Sequence, residues 1–179
     1  MKQALILPLL MLASPVAAQD MSAFVTGPVI EDFGPHAPVD ADMEIPEGTV
    51  FKVAFDTSKA AEDGARNRTL ESASRFYNMT AAAGVPVEDI QIAVVVHGKA
   101  GFDLFSNAAW AEKHDGADNP SQPLLRALLD KGVRVILCGQ SAAALGMEKG
   151  QLEPGVELAL SAMTAHALLR DEGYGVNPF

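Results

Sequence analysis

Apolar positions along this chain change their spacing several times, and each change marks an element. Thr49 to Asp56 is a β-rich apolar run followed by the polar stretch Thr57 to Gly64, which predicts a first strand and its loop. Leu70, Ala73, Tyr77 and Ala81 then recur every three to four residues, while Glu71, Arg75 and Asn78 fall on other faces. That pattern predicts an amphipathic helix, capped by Asn67 or Thr69 and ended by Gly84, with Pro86 preventing its return. The run from Ile90 to Gly98 is almost continuously apolar, as expected of a parallel strand covered on both faces. Strand, helix and strand in that order imply a right-handed βαβ unit.

The second half repeats the alternation. Phe102, Phe105 and Ala109 suggest a short helix, and His114 to Asn119 an exposed acidic loop. A helix capped by Ser121 or Asn119 follows, with Pro123 in its first turn and Leu124, Leu125, Leu128 and Leu129 as its stripe. Val133 to Leu137 reads as a second buried strand that Cys138 ends, and Ser141 is placed to cap a short Ala142 to Leu145 helix that Gly146 stops. Val156 to Leu160 predicts a fourth strand, Met163 to Leu169 a helix running to Gly173, and Tyr174 to Val176 a short terminal strand. The elements together predict an α/β domain over residues 49–179.

The N-terminal part does not share this patterning. Met1 to Ala18 carries Lys2, an apolar run from Ala4 to Leu12, a Ser14-Pro15 break and small residues at Val16 and Ala18, the layout of a secretory signal peptide cleaved near Ala18. The apolar run is shorter than the roughly 20 residues of a spanning helix. A periplasmic or secreted location is therefore expected, with no membrane partner. Residues 19–48 hold Gly27-Pro28, Gly34-Pro35, Pro38 and Pro46 among isolated apolar residues, which predicts an extended arm lying along the domain or a neighbouring subunit.

A length of 179 residues suits one such domain. With 13 Lys plus Arg against 23 Asp plus Glu, a formal net charge of -10, the chain is a poor ligand for nucleic acid or an anionic membrane. A single cysteine admits no intrachain disulfide, and no Cys-x-x-Cys supports thioredoxin-type exchange. For an exported protein, a leftover thiol means either sulfur chemistry or complete burial.

Ligands of open α/β sheets bind beyond the carboxyl ends of the strands, where Asp56, His97 and Cys138 all end theirs. Cys138 and His97 are the catalytic candidates: a thiol beside a helix N-terminus is acidified, and an imidazole can take its proton. The competing readings are a small buried hydrophobe and a histidine that only satisfies backbone groups. Gly139, Gln140 and Ser141 can offer hydrogen bonds to a bound anion, and Asp56 and Lys99 complete the candidate ligand-binding set. His36, His97, His114 and His166 are scattered, so no metal site is expected. No phosphate loop, dinucleotide fingerprint or serine-nucleophile elbow occurs, and no cofactor is expected.

Several segments together resemble the exported branch of the DsrE/DsrF-like family of sulfur-relay proteins. They are Val94-Val95-Val96-His97-Gly98, Gly132-Val133 through Cys138-Gly139-Gln140-Ser141, the closing Gly155-Val156 to Gly173-Tyr174, and the arm's Gly27-Pro28-Val29-Ile30 and Phe33-Gly34-Pro35. The resemblance implies a three-layer α/β/α fold with a mainly parallel, about five-stranded sheet, and assembly as a homotrimer or homohexamer. It further implies that Cys138 accepts sulfur as a persulfide from a donor protein and passes it to an acceptor. The alternative is a non-catalytic ligand-binding or assembly module in which Cys138 is structural.

Overall fold

The computed structural model describes residues 20–177. The segment read from the sequence as a signal peptide, residues 1–18, lies outside them. The sheet has five strands, all parallel, in the order β4-β3-β2-β1-β5: β1 Phe51–Thr57, β2 Ile90–Val96, β3 Arg134–Cys138, β4 Glu157–Ala159 and β5 Gly175–Asn177. Helices follow the strands: α1 Arg68–Ala82 after β1, α2 Asn107–Ala111 and α3 Gln122–Asp130 after β2, α4 Gly139–Leu145 after β3, and α5 Ala162–Asp171 after β4. The short helix expected around Phe102 is divided into a 3-10 turn over Gly98–Leu104 and α2, which Ser106 caps through the Ala109 N–H.

Strand alternation sorts the side chains into two layers. On one face Phe55, Val94, Val96, Val135 and Leu137 pack against Leu70, Ala73 and Tyr77 of α1 and Leu124, Leu125 and Leu128 of α3. On the other, Ala54, Ala93, Val95 and Ile136 meet Ala165 and Leu169 of α5. The alanines matter there. They leave room for α5 to lie close as it carries the chain from the edge strand β4 back across the sheet to the opposite edge, β5.

Two polar clusters pin the loops. Asp103, buried, accepts the Asn67 Nδ2 at 2.7 Å and the Ala61 N–H at 2.8 Å, and burial pushes its carboxyl above the usual range. This fastens the loop after β1. Asn78, which the sequence places off the apolar stripe of α1, is fully buried. Its Oδ1 accepts the N–H groups of Val29 and Ile30, and its Nδ2 donates to the carbonyls of Ile30, Phe33 and Gly34. The arm therefore lies on its own domain over this stretch, and Val29 and Ile30 join the core. Gly34 sits at φ +63° against α1, where a Cβ would come within 2.4 Å of the Arg75 nitrogen.

Candidate active site

β3 delivers Cys138 to the carboxyl edge and α4 starts at the very next residue, so Cys138 itself occupies the N-cap position. Ser141, expected to cap, lies inside the helix. Gly139 makes this sharp start possible for a steric reason: a Cβ there would stand 2.5 Å from the carbonyl oxygen of Ala159 at the end of β4. This gives Gly139 a packing role at the start of α4. At the other end Gly146 adopts the left-handed conformation and closes α4, as the sequence predicts.

Cys138 is 6% exposed. Burial is the largest single influence on its thiol and pushes its pKa up; the Ser141 hydroxyl and the backbone N–H groups of Ser141, Ala162 and Gln140 together outweigh it, and the net direction is down. Donors from the first turns of both α4 and α5 therefore converge on one sulfur and favour its thiolate. Ser141 Oγ also accepts the Gly98 N–H at 2.9 Å, which leaves its own proton for the sulfur. The Gln140 side chain donates to the Leu160 carbonyl at 3.2 Å, so its amide braces the link before α5 and only its backbone N–H serves the sulfur.

His97 continues β2 in extended conformation, and its N–H bonds the Thr57 carbonyl. Val95 stands opposite Ile136 and both face α5; two residues further on, His97 and Cys138 face the same way on neighbouring strands about 4.8 Å apart. The imidazole points across to β1, where its Nε2 bonds Asp56 Oδ2 at 3.1 Å. His97 makes no hydrogen bond to Cys138, and is not among the groups that lower the thiol's pKa. Lys99 is exposed in the turn beyond and does not reach the sulfur; the inward turn that would have brought it there does not occur.

The sequence reading passed over His166. From α5 its Nε2 bonds the other oxygen of Asp56, Oδ1, at 2.7 Å, while its Nδ1 is buried without a partner. Asp56 is thus shared by two imidazoles. Ala162, whose N–H faces the sulfur, is one turn before His166, so α5 touches both ends of a row running Cys138, His97, Asp56. The legible signal was Ser161 and Thr164, which form the reciprocal cap that starts this helix and so set where both residues fall.

Among the described residues no group of three or more His, Cys, Asp or Glu is placed to hold a metal ion, and no helix is long and apolar enough to cross a membrane. A cleft of about 300 Å³ opens beside the same edge, lined by Thr57, Lys59, Ala61, Glu62, Arg66 and Thr69. Cys138, His97 and Asp56 are not in its wall. The row Cys138, His97, Asp56 therefore lies beside α5 and apart from this cleft.

The sequence profile of the DsrE/DsrF-like family matches residues 51–178. A solved structure of a protein of unknown function from Methanobacterium thermoautotrophicum is similar in fold, with a TM-score of 0.52 at 21% identity over 72% of this chain and 99% of that one. No curated protein matches.

Proposed function

The chain belongs to the DsrE/DsrF-like family, and from that premise we propose that it is an exported sulfur-relay protein whose Cys138 accepts a sulfane sulfur as a persulfide. The observation that carries this reading is the convergence of Ser141, Gln140 and Ala162 donors on the sulfur, with the pKa lowered despite burial. In the step, the Cys138 thiolate attacks the outer sulfur of a donor persulfide R–S–SH. The donor's S–S bond breaks, R–S⁻ leaves with the thiol's proton, and Cys138–S–SH forms with no net oxidation. An acceptor thiolate then takes the outer sulfur and returns the Cys138 thiolate. The apolar run from Ala4 to Leu12 and the small residues before Gln19 support export to the periplasm or beyond.

A second reading, a ligand-binding or assembly module in which Cys138 only packs, draws on the 6% exposure and on the cleft that excludes the thiol. Mass spectrometry of the folded chain after exposure to a low-molecular-weight alkyl persulfide separates the two. The sulfur-relay reading expects a gain of one sulfur atom on Cys138, lost in Cys138→Ser. A chain that stays unmodified until it is unfolded belongs to the second reading.

A further inference from the structure

The Asp56 carboxylate can only accept hydrogen bonds, so both imidazoles bonded to it donate through Nε2. This sets the tautomer. The lone pair of His97 is left on Nδ1, on the ring one residue beyond Val96, whose register partner Leu137 precedes Cys138. The lone pair of His166 is likewise on Nδ1, but that atom is buried away from solvent. The two histidines therefore differ in setting: the His97 side chain is 34% exposed, whereas Nδ1 of His166 is buried with no hydrogen-bond partner.

We propose that His166 is a positioning residue of the Cys138 centre: by holding Oδ1 of Asp56 it keeps Oδ2 on His97, and so holds His97 with Nδ1 free to take the thiol proton. The role rests on the sulfur-relay reading for its purpose, though its geometry does not. In the step, the S–H bond of Cys138 breaks, the proton passes to Nδ1 of His97, and the same proton is later handed to the leaving R–S⁻. Each strand end contributes one titratable group to this row, Asp56 from β1, His97 from β2 and Cys138 from β3, and α5 contributes His166. The ammonium groups of Lys59 and Lys99 in the flanking loops bond to none of them, Arg170 one turn along α5 pairs with Asp171, and β5 contributes no ionisable side chain. The arrangement is a thiol, imidazole and carboxylate in a row with a second imidazole steadying the carboxylate.

The test is the rate of Cys138 alkylation by iodoacetamide in the full folded chain between pH 5 and 9, beside transfer from an alkyl persulfide. In the wild type the profile contains a step that disappears in His97→Ala. His166→Leu is expected to displace or flatten that step and to slow persulfide uptake at neutral pH about tenfold. His166→Gln, whose amide can donate from the place of Nε2, is expected to restore both. A His166→Leu profile that superimposes on the wild type overturns the role. If His166→Leu does not fold, Asp56→Asn and His166→Gln decide in its place: an unchanged step in Asp56→Asn overturns the proposal, and a lost step with near-normal His166→Gln sustains it. Alkylation that follows these expectations in a chain that takes up no persulfide leaves the histidine's role standing and rejects the sulfur-relay reading alone.

Discussion

Ser141 takes the Gly98 N–H and its hydroxyl lowers the pKa of Cys138, so one side chain links the turn after β2 to the sulfur on β3. A hydrogen bond to a charged group contributes about 1.5–3 kcal/mol, and one pKa unit is about 1.36 kcal/mol. Ser141→Ala is therefore expected to raise the thiol's pKa and to slow alkylation near neutral pH about tenfold, with little change above the new pKa. The direction follows from which form the hydroxyl favours: it donates to the thiolate, so its loss shifts the population toward the thiol. A pH–rate profile of Ser141→Ala identical to the wild type would show that the backbone donors suffice. Gly139 offers a contrasting case. Any side chain there meets the Ala159 carbonyl at 2.5 Å, so Gly139→Ala is expected to open β4 away from the start of α4 and lower stability.

At the scale of elements, α1 and α5 have opposite assignments. α1 faces the larger core layer and carries the arm on its buried Asn78, which makes five hydrogen bonds to residues 29–34. Asn78→Ala leaves several of those arm groups unsatisfied, at about 1–3 kcal/mol each when they stay buried. The arm relieves that cost by detaching. The expected outcome is a loss of about 2–4 kcal/mol in urea denaturation and faster proteolysis between residues 20 and 48, with the sheet intact. Equal stability and proteolysis in variant and wild type would mean that the arm is held elsewhere. α5 instead covers a face of small residues and reaches the chemistry, through the Ala162 N–H and His166.

For the whole molecule, the apolar surface is uneven. Val39 and Met43 are exposed on the arm, and Leu160, Met163 and Leu168 on α5 and the link before it. One ten-residue helix does not cover that side, and large exposed apolar areas mark association surfaces. We propose that this side is where copies of the chain associate, as the homotrimer or homohexamer that the family resemblance implies. Sedimentation at micromolar concentration is expected to show such an oligomer and Leu168→Glu to weaken it; a wild-type chain sedimenting only as a monomer would exclude it. N-terminal sequencing of protein recovered from the exporting cell is expected to begin near Gln19, and one beginning at Met1 would exclude cleavage.

Periodicity is a local property, and what it encodes was legible in the sequence: the strand runs, the amphipathic stripes of α1 and α3, the stop at Gly146 and the parallel α/β order. Strand ends follow from the same runs, so Asp56, His97 and Cys138 could be put on one edge before any coordinates. Other features depend on contacts that no short window contains. Asn78 reads as a polar position on a helix until the arm is laid on it, and its partners are some 45 residues away. His166 reads as one more scattered histidine because the carboxylate that gives it meaning is 110 residues earlier in the chain. The direction in which α5 crosses the sheet brings them together, and that direction is set by where β4 and β5 lie in the strand order, on opposite edges. Local patterning determined the elements and which residues end them; the packing of α5 across the sheet decided that His166 bonds to the carboxylate at one of those ends.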